Sequence, residues 1–470
     1  MRTSEALPQI IQGGMGVAVS NWRLANAVSR AGQLGVVSGT GADTVLVRRL
    51  QDGDPGGHVR RAIARFPIPG VAEEILRRYF KADGRPAGGP YALLPMYKQT
   101  VSAAKQRVTI LANFVEVSLA KEGHDGPVGI NLLTKVQMPN MASLYGAMLA
   151  GVNVVIMGAG IPREIPGVLD AFAEHRPATM RFDVEGLGRD ETELLSFDPR
   201  DHWSAPPTEP LERPRFLAVV SAASLAATLA RKSNGRVDGF VVEGPTAGGH
   251  NAPPRGALQL TDRGEPVYGD RDVVDLAKLR ELSLPFWLAG GAGSPEGRRA
   301  AIADGANGIQ VGTLFAYCDE SGLAPEVKRR VLDAVAAGAA SVRTDPRASP
   351  TGYPFKVVEI ASEQQQPERR RICAIGYLRT PAQTAAGKLV YRCPAEPVDA
   401  YVAKGGQEED TIGRQCLCNG LVASVGYAQL RAGSVEPPLI TSGDDLLRLP
   451  RFTQGRSSYS AADVIDYLLS

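Results

Sequence analysis

Eight short apolar runs alternating with segments of helical period restrict how this chain can fold more than any other feature. They are 9–12, 34–38, 128–133, 152–157, 216–221, 240–243, 286–289 and 309–311, most of them closing on Gly or Ser. Between most of them apolar positions recur every three to four residues, as in 22–31, 141–150, 225–231 and 295–303. Successive parallel strands need a crossover, and eight such alternations are what closes a parallel sheet on itself. The expectation is an α/β chain whose residues 1–360 form a (β/α)8 TIM barrel.

Two connections exceed ordinary loop length and read as insertions. The one at about 42–126, after strand two, holds helix-like stretches near 72–81 and 101–120, separated by a Gly/Pro-rich break at 83–90. The shorter one at 176–214, before strand five, carries Pro206, Pro207, Pro210 and a strand-like piece at 180–184, which suggests a small hairpin or lid. The polar run Glu363-Gln364-Gln365-Gln366-Pro367 and the cluster Arg369, Arg370 and Arg371 mark a linker. Residues 361–470 therefore read as a separate, cysteine-bearing C-terminal extension.

The formal charge of +2 is close to balance and the basic residues are dispersed, which argues against nucleic acid as a partner. With 52 glycines and only 6% aromatic residues, the composition suits tight strand-to-helix turns rather than a β-sandwich. The start lacks a basic segment followed by an apolar one, and no window of about 18 apolar residues occurs, so the expectation is a cytoplasmic protein without membrane contact.

In a closed barrel, ligands bind where the strands end, and here those ends are stripped of bulk. Strand one runs into Gly13-Gly14-Met15-Gly16, strand seven into Gly290-Gly291-Ala292-Gly293 and strand eight into Gly312-Thr313. The last two are the positions where such barrels cradle a phosphate. Strand six breaks into Glu243-Gly244-Pro245-Thr246-Ala247-Gly248-Gly249-His250. Backbone that approaches a flat ligand favours glycine, and proton transfer near neutral pH favours histidine. A glycine turn carrying a surface histidine is the plain alternative.

The segments Gly13-Gly14-Met15-Gly16, Gly129-Ile130-Asn131-Leu132, Ala247-Gly248-Gly249-His250, Ala289-Gly290-Gly291 and Gln310-Val311-Gly312-Thr313 resemble the nitronate monooxygenase family, formerly 2-nitropropane dioxygenases. That is a group of FMN-binding barrels which also includes flavin-dependent enoyl reductases of fatty-acid and polyketide synthesis. The likeness runs over most of residues 7–360; Thr351-Gly352-Tyr353-Pro354 departs from the family's Thr-Gly-Arg-Pro by carrying Tyr for Arg. It implies that Gly14, Met15 and Asn131 contact the isoalloxazine ring and that Gly248 and Gly249 allow close approach to it. Gly290, Gly291, Gly312 and Thr313 would hold the phosphate, and His250 matches the catalytic histidine. The implied activity is oxidation of alkyl nitronates by O2 to a carbonyl compound and nitrite, with His250 as base toward neutral nitroalkanes. In the enoyl-thioester reductase alternative, run by NAD(P)H, the same histidine donates a proton. A flavin-binding partner subunit of a biosynthetic complex is a third reading.

Other residues fit either a functional or an ordinary role. Glu243 at the end of strand six would orient His250, bind a flavin hydroxyl or form a salt bridge. Lys135 and Lys356 are candidate cations for an anionic substrate or the reduced flavin. Met96, Tyr97 and Lys98 would line a pocket or pack in the core. His58, His124, His175 and His202 lie in polar loops and are expected at the surface. Of the five cysteines, Cys373, Cys393, Cys416 and Cys418 fall in the last quarter. Four thiolates suit zinc or an iron–sulfur cluster; unliganded thiols and redox use stay open. The extension would then serve as a lid, a homodimer contact or an electron-transfer module.

Overall fold

The computed structural model describes residues 7–188, 190–205, 207–361, 370–431 and 433–470. Pro206, the run Glu363 to Pro367 and Arg369, assigned above to a loop and a linker, lie outside the described residues.

All eight expected strands form, at Ile10–Gln12, Gly35–Ser38, Val128–Leu133, Val154–Gly158, Arg215–Val220, Gly239–Glu243, Phe286–Ala289 and Gly308–Val311. Neighbours pair in parallel in sequence order, and the last strand pairs with the first. Closure between strands one and two rests on a single parallel bridge, Ile11 to Leu34, with the Gln12 amide donating to Leu34 O at 2.9 Å. The buried Gln12 side chain substitutes for the missing ladder: Oε1 accepts from the Val36 amide at 3.0 Å and Nε2 donates to Ser20 Oγ at 2.7 Å. A buried amide that finds both donors and acceptors stitches the seam without leaving a polar group unsatisfied.

Alternation along the strands divides the core. Ile11, Leu34, Val36, Val154, Ile156, Leu217, Val241, Trp287 and Ala289 form one cluster inside the barrel. Their neighbours Ile10, Val37, Val155, Phe216, Phe240 and Phe286 turn outward to pack beneath the helices. Trp287 fills the end where the strands begin, its indole N–H donating to Pro8 O at 2.9 Å. The barrel is therefore plugged at the strand starts and open only where the strands end.

The first insertion contributes helices Ala42–Gln51, His58–Ile63 and Val71–Tyr79. They cover the outside of Ala103–Ala120, the barrel's own helix before strand three, so that helix is buried almost throughout. The second insertion forms the expected hairpin, Ala178–Phe182 against Glu193–Phe197, but not a lid. It packs on the outer helices and toward the C-terminal residues, with the Gln383 amide donating to Glu185 O at 2.8 Å. Here the surface expectation for two histidines is corrected. His175 and His202 are buried in an aromatic cluster: His175 Nδ1 meets Tyr145 OH at 2.8 Å, and His202 stacks on Phe197 at 5.2 Å. Burial pushes His202 down to about 4.

Residues 370–470, read as a separate extension, return to the barrel throughout. The final helix Ala461–Leu469 packs on Trp22–Arg30 and Pro295–Ala303, with Arg298 Nε donating to Leu468 O at 2.7 Å. At the other end of the segment, Tyr377 OH donates to the fully buried Asp43, which also accepts from Lys105 Nζ at 2.5 Å and Thr109 Oγ1 at 3.1 Å. Burial raises the Asp43 carboxyl, and Lys105 with these hydrogen bonds overcomes that and holds it below its usual value.

Between them, a strap at 441–445 crosses the barrel mouth. Gly443 N–H donates to Thr313 Oγ1 at 3.0 Å, the Gly249 amide donates to Thr441 Oγ1 at 2.9 Å, and the Gly293 amide donates to Asp445 Oδ2 at 3.2 Å. Lys356 Nζ pairs with Asp444 at 2.6 Å. Gly248 lies under the strap so closely that a Cβ there would stand 2.7 Å from Gly443 N. Among the described residues no helix is long and apolar enough to cross a membrane.

Two outcomes follow from this docking. Asp43→Ala leaves the Lys105 ammonium buried without its carboxylate, so a loss of about 3–5 kcal/mol in chemical denaturation is expected, together with faster proteolysis near Tyr377. Gly248→Val drives a branched side chain into the strap backbone. Hydrogen exchange at 441–445 should accelerate while the helices opposite, such as Gln137–Leu149, keep wild-type protection.

Candidate active site at the barrel mouth

The strand ends and the strap enclose a cavity of about 260 Å³. Every expected cofactor residue lines it: Gly14, Met15, Asn131, Gly248, Gly249, Gly290, Gly291, Gly312 and Thr313, together with Glu243 and His250. From the C-terminal residues, Tyr377, Cys418, Leu421, Ile440, Ser442 and Asp445 also reach it. The cavity is thus a composite of barrel and extension.

Small residues at the rim have distinct causes. Gly14 touches Asn131 so tightly that a Cβ would fall 2.1 Å from Asn131 Cβ; the glycine lets this side chain sit at the edge of the cavity. Gly249 has φ of +78° and nothing within 4 Å of where a Cβ would project, so it presents bare backbone to open space. Gly290 and Gly291, at φ of +89° and +71°, make the turn ahead of helix Pro295–Ala303, and Gly312 precedes the helix Thr313–Ala316. Such turns at helix starts suit an anion. Two positions carry another load: Gly248 accommodates the strap, and the Thr313 hydroxyl accepts from Gly443.

His250 stands at the junction with a second cavity of about 200 Å³, which shares Glu243 and His250 with the first and extends past Tyr353, Arg255 and Tyr268. A loop after the ribbon strand Ala340–Asp345 positions the ring. His250 Nε2 meets Ser349 Oγ at 2.7 Å, and the ring packs edge-on against Phe355 with centroids 4.8 Å apart. The Asn251 amide donates to Pro354 O at 2.9 Å, and the Lys356 amide to Gly249 O at 2.9 Å, which joins the strand Phe355–Ile360 to the Gly-Gly-His turn. With Nε2 engaged, Nδ1 is the nitrogen left for a ligand.

Three ionisable groups set the electrostatics. Burial pushes Lys135 down to about 7 and Glu243 up to about 7, each resisted by the opposite charge of the other. Burial and the nearby Lys135 hold His250 well below the usual histidine range, so its imidazole is neutral around pH 7. A neutral imidazole is competent to accept a proton, and a nearby Lys135 in either charge state tunes how strongly.

The remaining candidates have other surroundings. Lys356 is buried in its ion pair with Asp444 and lines neither cavity, so it serves the strap and is no free cation. Tyr97 is core, its hydroxyl bonded to Thr109 Oγ1 at 2.6 Å, Met96 is half-buried against the Gly376 turn and Lys98 is exposed. The four late cysteines influence one another, but among the described residues no group of three or more His, Cys, Asp or Glu is arranged to hold a metal ion. Burial and the neighbouring cysteines push the thiols up, Cys373 to about 11 and Cys393 to about 12. Sequence reasoning missed Ser349, Thr351, Tyr377 and the strap. Thr351 was within a quoted motif, and the others carry no spacing signal.

Residues 184–365 match the family described as nitronate monooxygenase. A probable nitronate monooxygenase of Bacillus subtilis (strain 168) is 38% identical over 98 residues, which are 21% of this chain and 26% of that protein. The nitronate monooxygenase of Pseudomonas aeruginosa PAO1 is 31% identical over 164 residues, 34% of this chain and 38% of its own length. The matched segments thus span well under half of these relatives. Among solved structures, FabK from Thermotoga maritima is 16% identical, with 99% of this chain and 92% of that one covered at a TM-score of 0.44. Nitroalkane oxidase from Streptomyces ansochromogenes is 17% identical, with 98% and 94% covered at 0.45. The likeness to the nitronate monooxygenase family thus rests on residues 184–365 of this chain.

Proposed function

We propose that the chain is an FMN-dependent oxidoreductase that oxidises alkyl nitronates with O2 to a carbonyl compound and nitrite. The observation that carries this reading is His250 at the wall of a glycine-rimmed cavity, with Nε2 anchored on Ser349 Oγ at 2.7 Å so that Nδ1 is the nitrogen left to meet a ligand. The residues present suit FMN: Gly14, Met15 and Asn131 offer a flat, uncrowded face, and the turns at Gly290, Gly291 and Gly312 suit its phosphate. When bound, FMN supplies the electron acceptor. His250 Nδ1 takes the α-proton of a neutral nitroalkane, leaving the nitronate, and the cavity walls of Ala247, Val219 and Leu133 limit water around the acidic carbon.

The second cavity favours enoyl-thioester reduction as the alternative. It provides room beyond His250, along Val219, Leu225 and Tyr268, that a short nitronate does not need and an acyl chain would occupy. There His250 gives a proton to the α-carbon instead of taking one. A flavin-loaded protein inert toward both substrate classes would favour the flavin-binding partner subunit.

The test is anaerobic mixing of flavin-loaded protein with NAD(P)H or with propyl-2-nitronate. Bleaching by nitronate and not by NAD(P)H is expected; bleaching by NAD(P)H alone transfers the assignment to the reductase. His250→Ala is expected to retain FMN and to lower kcat/KM on neutral nitroalkane by about 10²-fold or more, with a much smaller loss on preformed nitronate. Equal losses on both would remove His250 as the base.

A further inference from the structure

Behind His250 lies an unbroken hydrogen-bonded chain. His250 Nε2 meets Ser349 Oγ at 2.7 Å, Ser349 Oγ meets Thr351 Oγ1 at 2.8 Å, and Lys135 Nζ reaches Thr351 Oγ1 at 3.3 Å. The Thr351 amide also donates to Ser349 Oγ at 3.2 Å, which fixes the two hydroxyls in one tight turn. The chain joins the loop after strand three to the tip of strand six through the ribbon loop. Each hydroxyl can accept from one side and donate to the other, so the path conducts a proton in either direction by rotation of two O–H groups. Lys135 is faced by Glu243 and His250 as titratable groups and by the Tyr353 ring, 4.6 Å from its ammonium.

We propose that Lys135, acting through Thr351 and Ser349, is the proton reservoir of His250. The inference rests on the role given to His250 above. In the oxidation, the nitroalkane C–H bond breaks and its electron pair stays on the nitronate. His250 Nδ1 gains the proton while Nε2–H passes its own to Ser349, Ser349 to Thr351, and Thr351 to Lys135, whose amine becomes ammonium. In the reductase direction the same shifts run backwards from the ammonium to the substrate carbon. Neither direction leaves a charge on the imidazole, which suits a ring that burial and Lys135 keep neutral. With Lys135 pushed down to about 7, the amine form needed to receive a proton grows as pH rises through about 7. Nitroalkane deprotonation should therefore rise through that pH, whereas proton delivery to an enoyl thioester should fall. Lys135, Thr351 and Ser349 are positioning residues here, because only His250 meets the substrate.

The experiment compares wild type with Thr351→Val, Thr351→Ser, Lys135→Met and His250→Ala as the FMN-loaded full chain, over pH 5.5 to 9. Nitroethane and propyl-2-nitronate are the oxidation substrates, and a crotonyl thioester with NADPH the reduction substrate. Thr351→Val exchanges only a hydroxyl for a methyl. It should cut the proton-transfer reaction by about tenfold or more, raise the nitronate-to-nitroethane rate ratio and flatten the limb near pH 7, with Thr351→Ser restoring both rate and limb. Lys135→Met should abolish the limb. If Thr351→Val keeps the wild-type rate and limb while Lys135→Met loses them, Lys135 acts by charge alone and the relay is overturned. If His250→Ala itself lowers nitroethane and nitronate turnover equally, or if wild type turns over neither substrate class, the parent reading fails and the relay with it.

Discussion

How far side chains fill the barrel decides everything else in this structure. Ile11, Val36, Ile156, Val241 and Trp287 pack the interior solid from the strand starts upward. Above that level the inward positions pass to Gly14, Asn131, Glu243, Gly249 and Gly290, which leave space. A closed barrel has one such open end, and a packed interior gives it a rigid floor. Because the floor is rigid, the few polar groups that project above it, Glu243, His250 and Lys135, hold fixed positions in surroundings poor in water. Their altered proton affinities follow from that placement.

The C-terminal residues complete the mouth. The strap is held at several independent points: Thr441 by the Gly249 amide, Ser442 by Tyr317, Gly443 by Thr313, Asp444 by Lys356 and Asp445 by the Gly293 amide. Three of these partners, Gly249, Gly293 and Thr313, are themselves at strand tips, so the same backbone that shapes the cavity also docks its cover. Asp43 performs the equivalent task for Tyr377 on the far side, where a carboxylate is tolerated in the core because four donors converge on it.

The barrel was legible in the sequence because its signal is periodic. Runs such as 128–133 and 286–289 coincide with the observed strands, since both faces of a parallel sheet are buried and the runs are continuously apolar. That the glycine clusters and His250 meet in one cavity was legible because all of them stand at strand ends, which a closed barrel gathers at one mouth. The strap at 441–445 was not, because polar side chains meeting distant backbone amides leave no pattern along the chain. His175 and His202 were misplaced at the surface because their burial comes from Phe197, Trp203 and Tyr145, brought together only by the hairpin's return onto the helices. Gly248 shows the limit of motif reasoning: its residue type was assigned to a flavin contact, whereas the strap backbone already requires a glycine there. For the four late cysteines, number and position alone suggested ligands, and among the described residues no three His, Cys, Asp or Glu are arranged to hold a metal ion.

The central claim is that a mouth left bare above a packed floor, and closed by the strap, exists to seat FMN beside His250. The visible absorption spectrum of the purified full chain, with its flavin released and quantified, tests this most directly. The account predicts a yellow protein carrying FMN in equimolar amount, lost on Gly14→Val, which drives a side chain into Asn131. A colourless chain that takes up no FMN when refolded or incubated with excess flavin would contradict it.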